Sequence, residues 1–169
     1  MVGRYSSAER IMRACCFVLY SPVNQAFFPR ISAAAAKSRA EADRVFLTLR
    51  NVVGVLMLMV SLALLVGAPY VHRLLGDDYE GITQLLRIMA FAPLLIGLGG
   101  VYGQAGLVAM GSHAEHLHFR NVYFRVAVLA LTLVSVLTPW LHEVGAAVAL
   151  LLSEAAVFVL MRYYARRDL

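Results

Sequence analysis

Residues 52–71 read VVGVLMLMVSLALLVGAPYV, an apolar run without a single charge that closes near Pro69. At about 1.5 Å of rise per residue it reaches about 30 Å as a helix, the thickness of the hydrocarbon core of a bilayer. The rest of the chain agrees with a lipid solvent. Of its 169 residues, 61% are hydrophobic and 15% charged, against roughly 45–50% and 25% in soluble domains. The fold class is therefore read as all-α integral membrane, with about five transmembrane helices.

Working outward from 52–71, the other spans fall near 11–28, 85–110, 122–141 and 144–161, so that 1–169 is one membrane domain. The segment 11–28 is the most polar, with Arg13, Pro22, Asn24 and Gln25; a lipid-facing helix does not carry such groups. The segment 85–110 holds Pro93 and a series of glycines in which Gly99 and Gly103 stand four apart, a spacing that lets another helix approach closely. The segment 122–141 contains Arg125 and ends at Pro139 and Trp140, and 144–161 contains Glu154 and runs into Arg162, Tyr163, Tyr164, Arg166 and Arg167. Aromatic and basic residues in such places mark a membrane boundary. Between the first two spans, 30–50 is alanine-rich and full of good helix formers, which predicts a short interfacial helix. Gly76, Asp77, Asp78 and Gly81 predict a turn on the outer face.

The net charge of +5 does not follow one polar face, as a nucleic-acid surface would require; the basic residues sit in the short connections. Nine of the fifteen (Arg30, Lys37, Arg39, Arg44, Arg50, Arg120, Arg162, Arg166, Arg167) collect on one side, which the positive-inside rule makes cytoplasmic together with the C-terminus. Arg4, Arg10 and Arg73 fall on the other side. An odd number of spans then puts the N-terminus outside. That sits poorly with Arg4 and Arg10, so an earlier span is expected before Met1. Arg4, Glu9, Arg10 and Arg13 also interrupt any secretory leader.

No nucleophile stands beside a base, and no glycine loop cradles phosphate, so the chain is not read as an enzyme and no cofactor is expected. Adjacent Cys15 and Cys16 suit neither a common zinc site nor an ordinary disulfide and read as packing residues. His113, His116 and His118, with Glu115, cannot all share one helix face, and read as a solvated cytoplasmic loop rather than a metal site. Asp77, Asp78 and Glu80 lack the alternation of a calcium loop. What remains is charge inside the membrane, which costs at least about 2.5 kcal/mol near mid-span and so demands a partner or water. Arg13, one turn beyond Glu9, reads either as a cavity guanidinium or as part of an ion-paired headgroup cluster with Glu9 and Arg10. Arg87 is a cavity residue or snorkels to the interface, and Arg125 is a cavity residue or a cytoplasmic anchor. Asn24 and Gln25 are candidate cavity-lining groups. Glu154, deep in the last span, is an ion-coupling candidate or a structural bond to a neighbouring helix.

Three stretches carry a family resemblance: VGRYSSAER at 2–10, QAFFPRIS at 25–32, and LGDDYE at 75–80 followed by LLRI at 85–88. In this order and spacing they resemble the C-terminal half of the Wzx-like O-antigen and polysaccharide flippases, of the multidrug/oligosaccharidyl-lipid/polysaccharide exporter superfamily. The resemblance implies part of the C-terminal lobe of an exporter fold with about twelve helices in two lobes around an alternating cavity. It implies transport of a polyprenyl-diphosphate-linked oligosaccharide, O-antigen or exopolysaccharide, across the bacterial inner membrane, often coupled to protons or sodium. Implied partners are membrane lipid, the lipid-linked oligosaccharide, the absent N-terminal transporter half, and the polymerase and chain-length proteins of polysaccharide assembly. Nucleic acid is not among them. For a diphosphate, guanidiniums are the suitable complement, since they stay charged and present paired donors. The alternatives left open are an exporter of a lipid precursor or of drugs within the same superfamily, and a truncated membrane scaffold that transports nothing.

Overall fold

The computed structural model describes the backbone of residues 2–75, 81–111 and 113–168, and their side chains except those of 2, 72–75, 113–115 and 168. The chain forms α1 (Val2–Lys37), α2 (Arg39–Leu75), α3 (Ile82–Met89), α4 (Ala92–Gly100), a π-helix (Val101–Ala109) and α5 (His113–Asp168). The fold is all-α and belongs in a membrane. Among the described residues, Arg39–Val71, Ile82–Ala109 and His116–Arg167 are long and apolar enough to cross one. α1 is as long, at 36 residues, but Arg13, Asn24 and Gln25 make it more polar than the others.

His142 divides α5 into two legs. Its backbone is non-helical, with φ 50° and ψ −127°, and a Cβ on Gly145 would strike the Leu137 carbonyl oxygen. Farther out, His118 stacks on Tyr164 with centroids 4.7 Å apart. The first leg therefore runs antiparallel to the second. α1 and α2 reverse in the same way at Ser38, with 11–19 packed against 60–71. α3 and α4 return along α2: Thr83 Oγ1 donates to the Ala68 carbonyl at 3.3 Å, and Gly97 lies against Val53 and Met57. Five helical legs of alternating direction result among the described residues.

The expected interfacial helix at 30–50 is not there. α1 continues to Lys37, Ser38 alone breaks the helix, and α2 starts at Arg39. The physical reason lies in the residues: Ser38 accepts the Glu41 backbone N–H on its Oγ at 3.2 Å and so caps α2, while the same alanines and charged helix formers extend both helices toward it. The loop expected around His113 to His118 is also helix, because α5 begins at His113. There His116 Nε2 lies 3.1 Å from the Val108 carbonyl oxygen. Of the turn expected at Gly76, Asp77, Asp78 and Gly81, the first three lie outside the described residues, as do Glu80 and the side chains of Arg73, His113 and Glu115; Gly81 is a turn residue with φ 95°. Cys15 and Cys16 are free thiols, and Cys16 is buried with its Sγ 3.8 Å from Met12 Sδ.

α4 is the hub. Successive residues of an α-helix point about 100° apart, and four consecutive directions around α4 meet three neighbouring elements. Gly97 faces α2; Leu98 packs over Gly54; Gly99 faces the second leg of α5; Gly100 faces Tyr20 of α1. A Cβ at Gly99 would lie 3.5 Å from Phe158 Cα, and one at Gly103 2.9 Å from the Phe119 ring and 3.2 Å from Met161 Sδ. At Gly99 backbone meets backbone, the kind of approach that substitutes in lipid for the missing hydrophobic drive, while at Gly103 the Phe119 and Met161 side chains fill the space a side chain would need.

Candidate functional site

Glu9, Arg13, Tyr20 and Asn24 fall within an arc of about 60° on α1, since offsets of four, eleven and fifteen residues return to nearly one direction. This polar stripe faces α4, the π-helix and the second leg of α5. At its N-terminal end Arg13 Nε donates to Glu9 Oε1 at 2.8 Å, and the two side chains are 53% and 27% exposed. Level with them, Glu154 on α5 interacts electrostatically with Arg13 and with Tyr123. Farther along, the Tyr20 hydroxyl is buried against Gly100, with no hydrogen-bond partner among the described residues. Asn24 Nδ2 then donates to Gln104 Oε1 of the π-helix at 2.6 Å. Asn24 Oδ1 is buried and unpaired among the described residues.

A cleft of about 430 Å³ opens over the stripe, with Arg13, Phe17 and Tyr20 on one wall and Ile96 of α4 on the other. Arg13 lies about one turn inside the level of Val71, where the apolar run of α2 ends. A guanidinium half exposed that close to the end of an apolar run can reach the boundary along its own stem, and its ion pair with Glu9 lowers the cost of keeping it there. Chemically, the site offers one fork of N–H donors flanked by two carboxylates, and then a line of neutral donors and acceptors, which suits hydroxyl-bearing groups.

The structure brings Arg13, Glu154 and Asn24 onto one surface. Gln25 is turned about 100° from Asn24 and is exposed, its Nε2 donating to Ser21 Oγ at 3.0 Å. Arg87 is exposed on α3 in a separate cleft with Thr83, Gln84 and Phe91. Arg125 is exposed on the first leg of α5 and donates through Nη1 to Tyr164 Oη at 3.2 Å. Neither arginine joins Arg13. Tyr20, Gln104 and Tyr123 also belong to the surface. Tyr20 was detectable by extending the helical spacing of Glu9 and Arg13, whereas Gln104 and Tyr123 lie on other helices and carry no local signal.

Over its whole length the chain aligns with a protein of Escherichia coli (strain K12) described as "Putative O-antigen transporter", with 31% identity over 171 residues. This likeness fits the resemblance to the C-terminal part of a Wzx-like flippase. The alignment takes in 99% of this chain and 40% of the relative, so the chain spans well under half the length of the relative it matches. No family model and no solved structure matches it. Likeness to a transporter and three helices long and apolar enough to cross a membrane mark the chain as a multi-pass membrane protein.

Proposed function

We propose that this chain is the C-terminal portion of a flippase that carries polyprenyl-diphosphate-linked oligosaccharide repeat units, of O-antigen or exopolysaccharide, across the bacterial inner membrane. The α1 stripe forms one wall of the path, and the remaining helices of the transporter form the other. The carrying observation is the half-exposed Arg13, ion-paired to Glu9, at the head of the polar stripe of α1. A path that swaps water for substrate accounts for that exposure. Arg13 meets the diphosphate, Asn24 and Gln104 meet sugar hydroxyls, and Glu154 competes with the substrate for Arg13 and so ties its release to a proton or cation. No catalysis is involved. Polymerase and chain-length proteins act on what is delivered. Alternating access requires one bundle to move against another around a shared site, so these helices need the other lobe.

Complementation of a flippase-deficient bacterium tests the reading. The chain together with the rest of the transporter restores surface polysaccharide, and Arg13→Ala in that assembly lowers export about tenfold, the loss of one charge-assisted bond to the substrate. Export at the wild-type rate by the Arg13→Ala protein would overturn it. The orientation that goes with this reading has the Ser38 reversal in the cytoplasm. A cysteine placed at Ala35 then resists membrane-impermeant thiol reagents added to intact cells, and strong labelling there would reverse the orientation.

A further inference from the structure

A second cleft of about 430 Å³ lies on the other side of α4. Ile96 lines the first cleft and Leu98 the second; two residues apart on a helix, they point about 160° from one another. The rim of the second cleft is Arg50 from α2 with Arg162 and Arg166 from the second leg of α5, and its floor is Gly54, Leu98 and Phe158. Arg50 is held at one edge, its Nε and Nη2 donating to Asn51 Oδ1 at 3.3 and 3.0 Å. Arg162 stands over the floor, its Cζ 5.9 Å from the centre of the Phe158 ring. Among the described residues no carboxylate pairs with any of the three guanidiniums.

Three like charges around one opening repel one another, and an anion between them removes that cost. The floor says which kind of anion. It is apolar, and Val55 and Val159 beside it are each 59% exposed, a flank that suits hydrocarbon rather than water. The occupant therefore carries a negative head at the arginines and an apolar chain below. We propose that this cleft holds the phosphate headgroup of an anionic phospholipid, taken from the leaflet at the Ser38 end, with an acyl chain laid over Leu98 and Phe158. Basic pockets between helices at a membrane boundary are suited to this use, with each arginine near the surface contributing severalfold in affinity. The site is separate from the Arg13 stripe and does not depend on what that stripe transports.

Native mass spectrometry of the full chain in detergent, titrated with phosphatidylglycerol or phosphatidylcholine, tests the proposal. Phosphatidylglycerol is retained preferentially. Replacing Arg50, Arg162 and Arg166 by Gln weakens its binding at least about tenfold, while replacing the exposed Arg30, Arg44 and Arg120 by Gln, the same change in net charge, leaves it within twofold. Should the cleft triple variant fail to fold, Arg162→Gln alone gives about a fivefold loss. Equal losses in both triple variants, or none in either, would overturn the site as mere bulk charge or as no site at all. Displacement of the lipid by millimolar inorganic phosphate would reassign the cleft to a soluble anion. Loss of retention once the rest of the transporter is assembled on the chain would reassign it to a protein partner.

Discussion

The two clefts on either side of α4 have similar size and opposite charge arrangements. The one over α1 has a single arginine with Glu9 bonded to it and Glu154 within reach. The one beside α2 has three arginines and, among the described residues, no carboxylate paired with them. The difference is one of counter-charges. At α1 the chain itself supplies the carboxylates, whereas beside α2, where aromatic and basic residues gather as at a membrane boundary, the arginines stand together without them. The lack of pairing there marks a place for an outside anion.

The largest effect should come from forcing the two clefts into one. Gly99 holds α4 against the backbone of the second leg of α5, so Gly99→Leu must push that leg away. It should cost about 1–3 kcal/mol, the usual penalty of overpacking, read as a lower unfolding midpoint in mild detergent. Unchanged stability would mean that the glycine contact does not hold the clefts apart. Next, Arg13→Lys in the assembled transporter keeps the charge and loses the paired donors; it should recover only part of the export lost in Arg13→Ala. Full recovery would show that point charge suffices and that the fork geometry is irrelevant. Smaller again is Asn24→Leu, which removes the bond to Gln104 and should destabilise by about 0.6 kcal/mol and at most about 1.7, the range found for hydrogen bonds between membrane helices. A larger loss would make that bond, rather than the glycine contacts, the main tie between α1 and the π-helix. Arg125→Ala comes last. Its exposed bond to Tyr164 belongs to neither cleft, and stability and export should move by no more than about 0.5 kcal/mol equivalent; an export defect like that of Arg13→Ala would place Arg125 in the path.

The lipid-crossing segments could be read from α2 alone and then by analogy along the chain, since an uninterrupted apolar run has few other uses. The reversals were harder to see. Pro139 and Trp140 signalled the end of the first leg of α5, and the expected span 122–141 stops one residue before the break at His142. The break at Ser38 was hidden because strong helix formers flank it on both sides; the residues Ser38-Arg39-Ala40-Glu41 have the spacing of a helix-capping box, a signal that outweighs propensity at that single point. The site was legible where its parts lie on one helix. Arg13 and Asn24 could be picked out from α1 itself, but their partners Glu154 and Gln104 sit on helices far along the chain, and only packing brings them opposite. Arg50, Arg162 and Arg166 were read as markers of orientation for the same reason: nothing in the spacing of two distant segments shows that they share a rim.

The sharp reversal at His142 bears on how the chain enters its membrane. A hairpin that turns over so few residues has almost nothing polar to drag through the hydrocarbon; His142 and Glu143 are the whole of its tip beyond Leu141. Both legs close their backbone hydrogen bonds within themselves, as any segment in lipid must. During biosynthesis the last two legs can therefore enter as one wedge, already paired, against helices laid down before them. The order of synthesis then matches the order of packing, because α4, whose glycines receive the second leg, is complete before that leg leaves the ribosome.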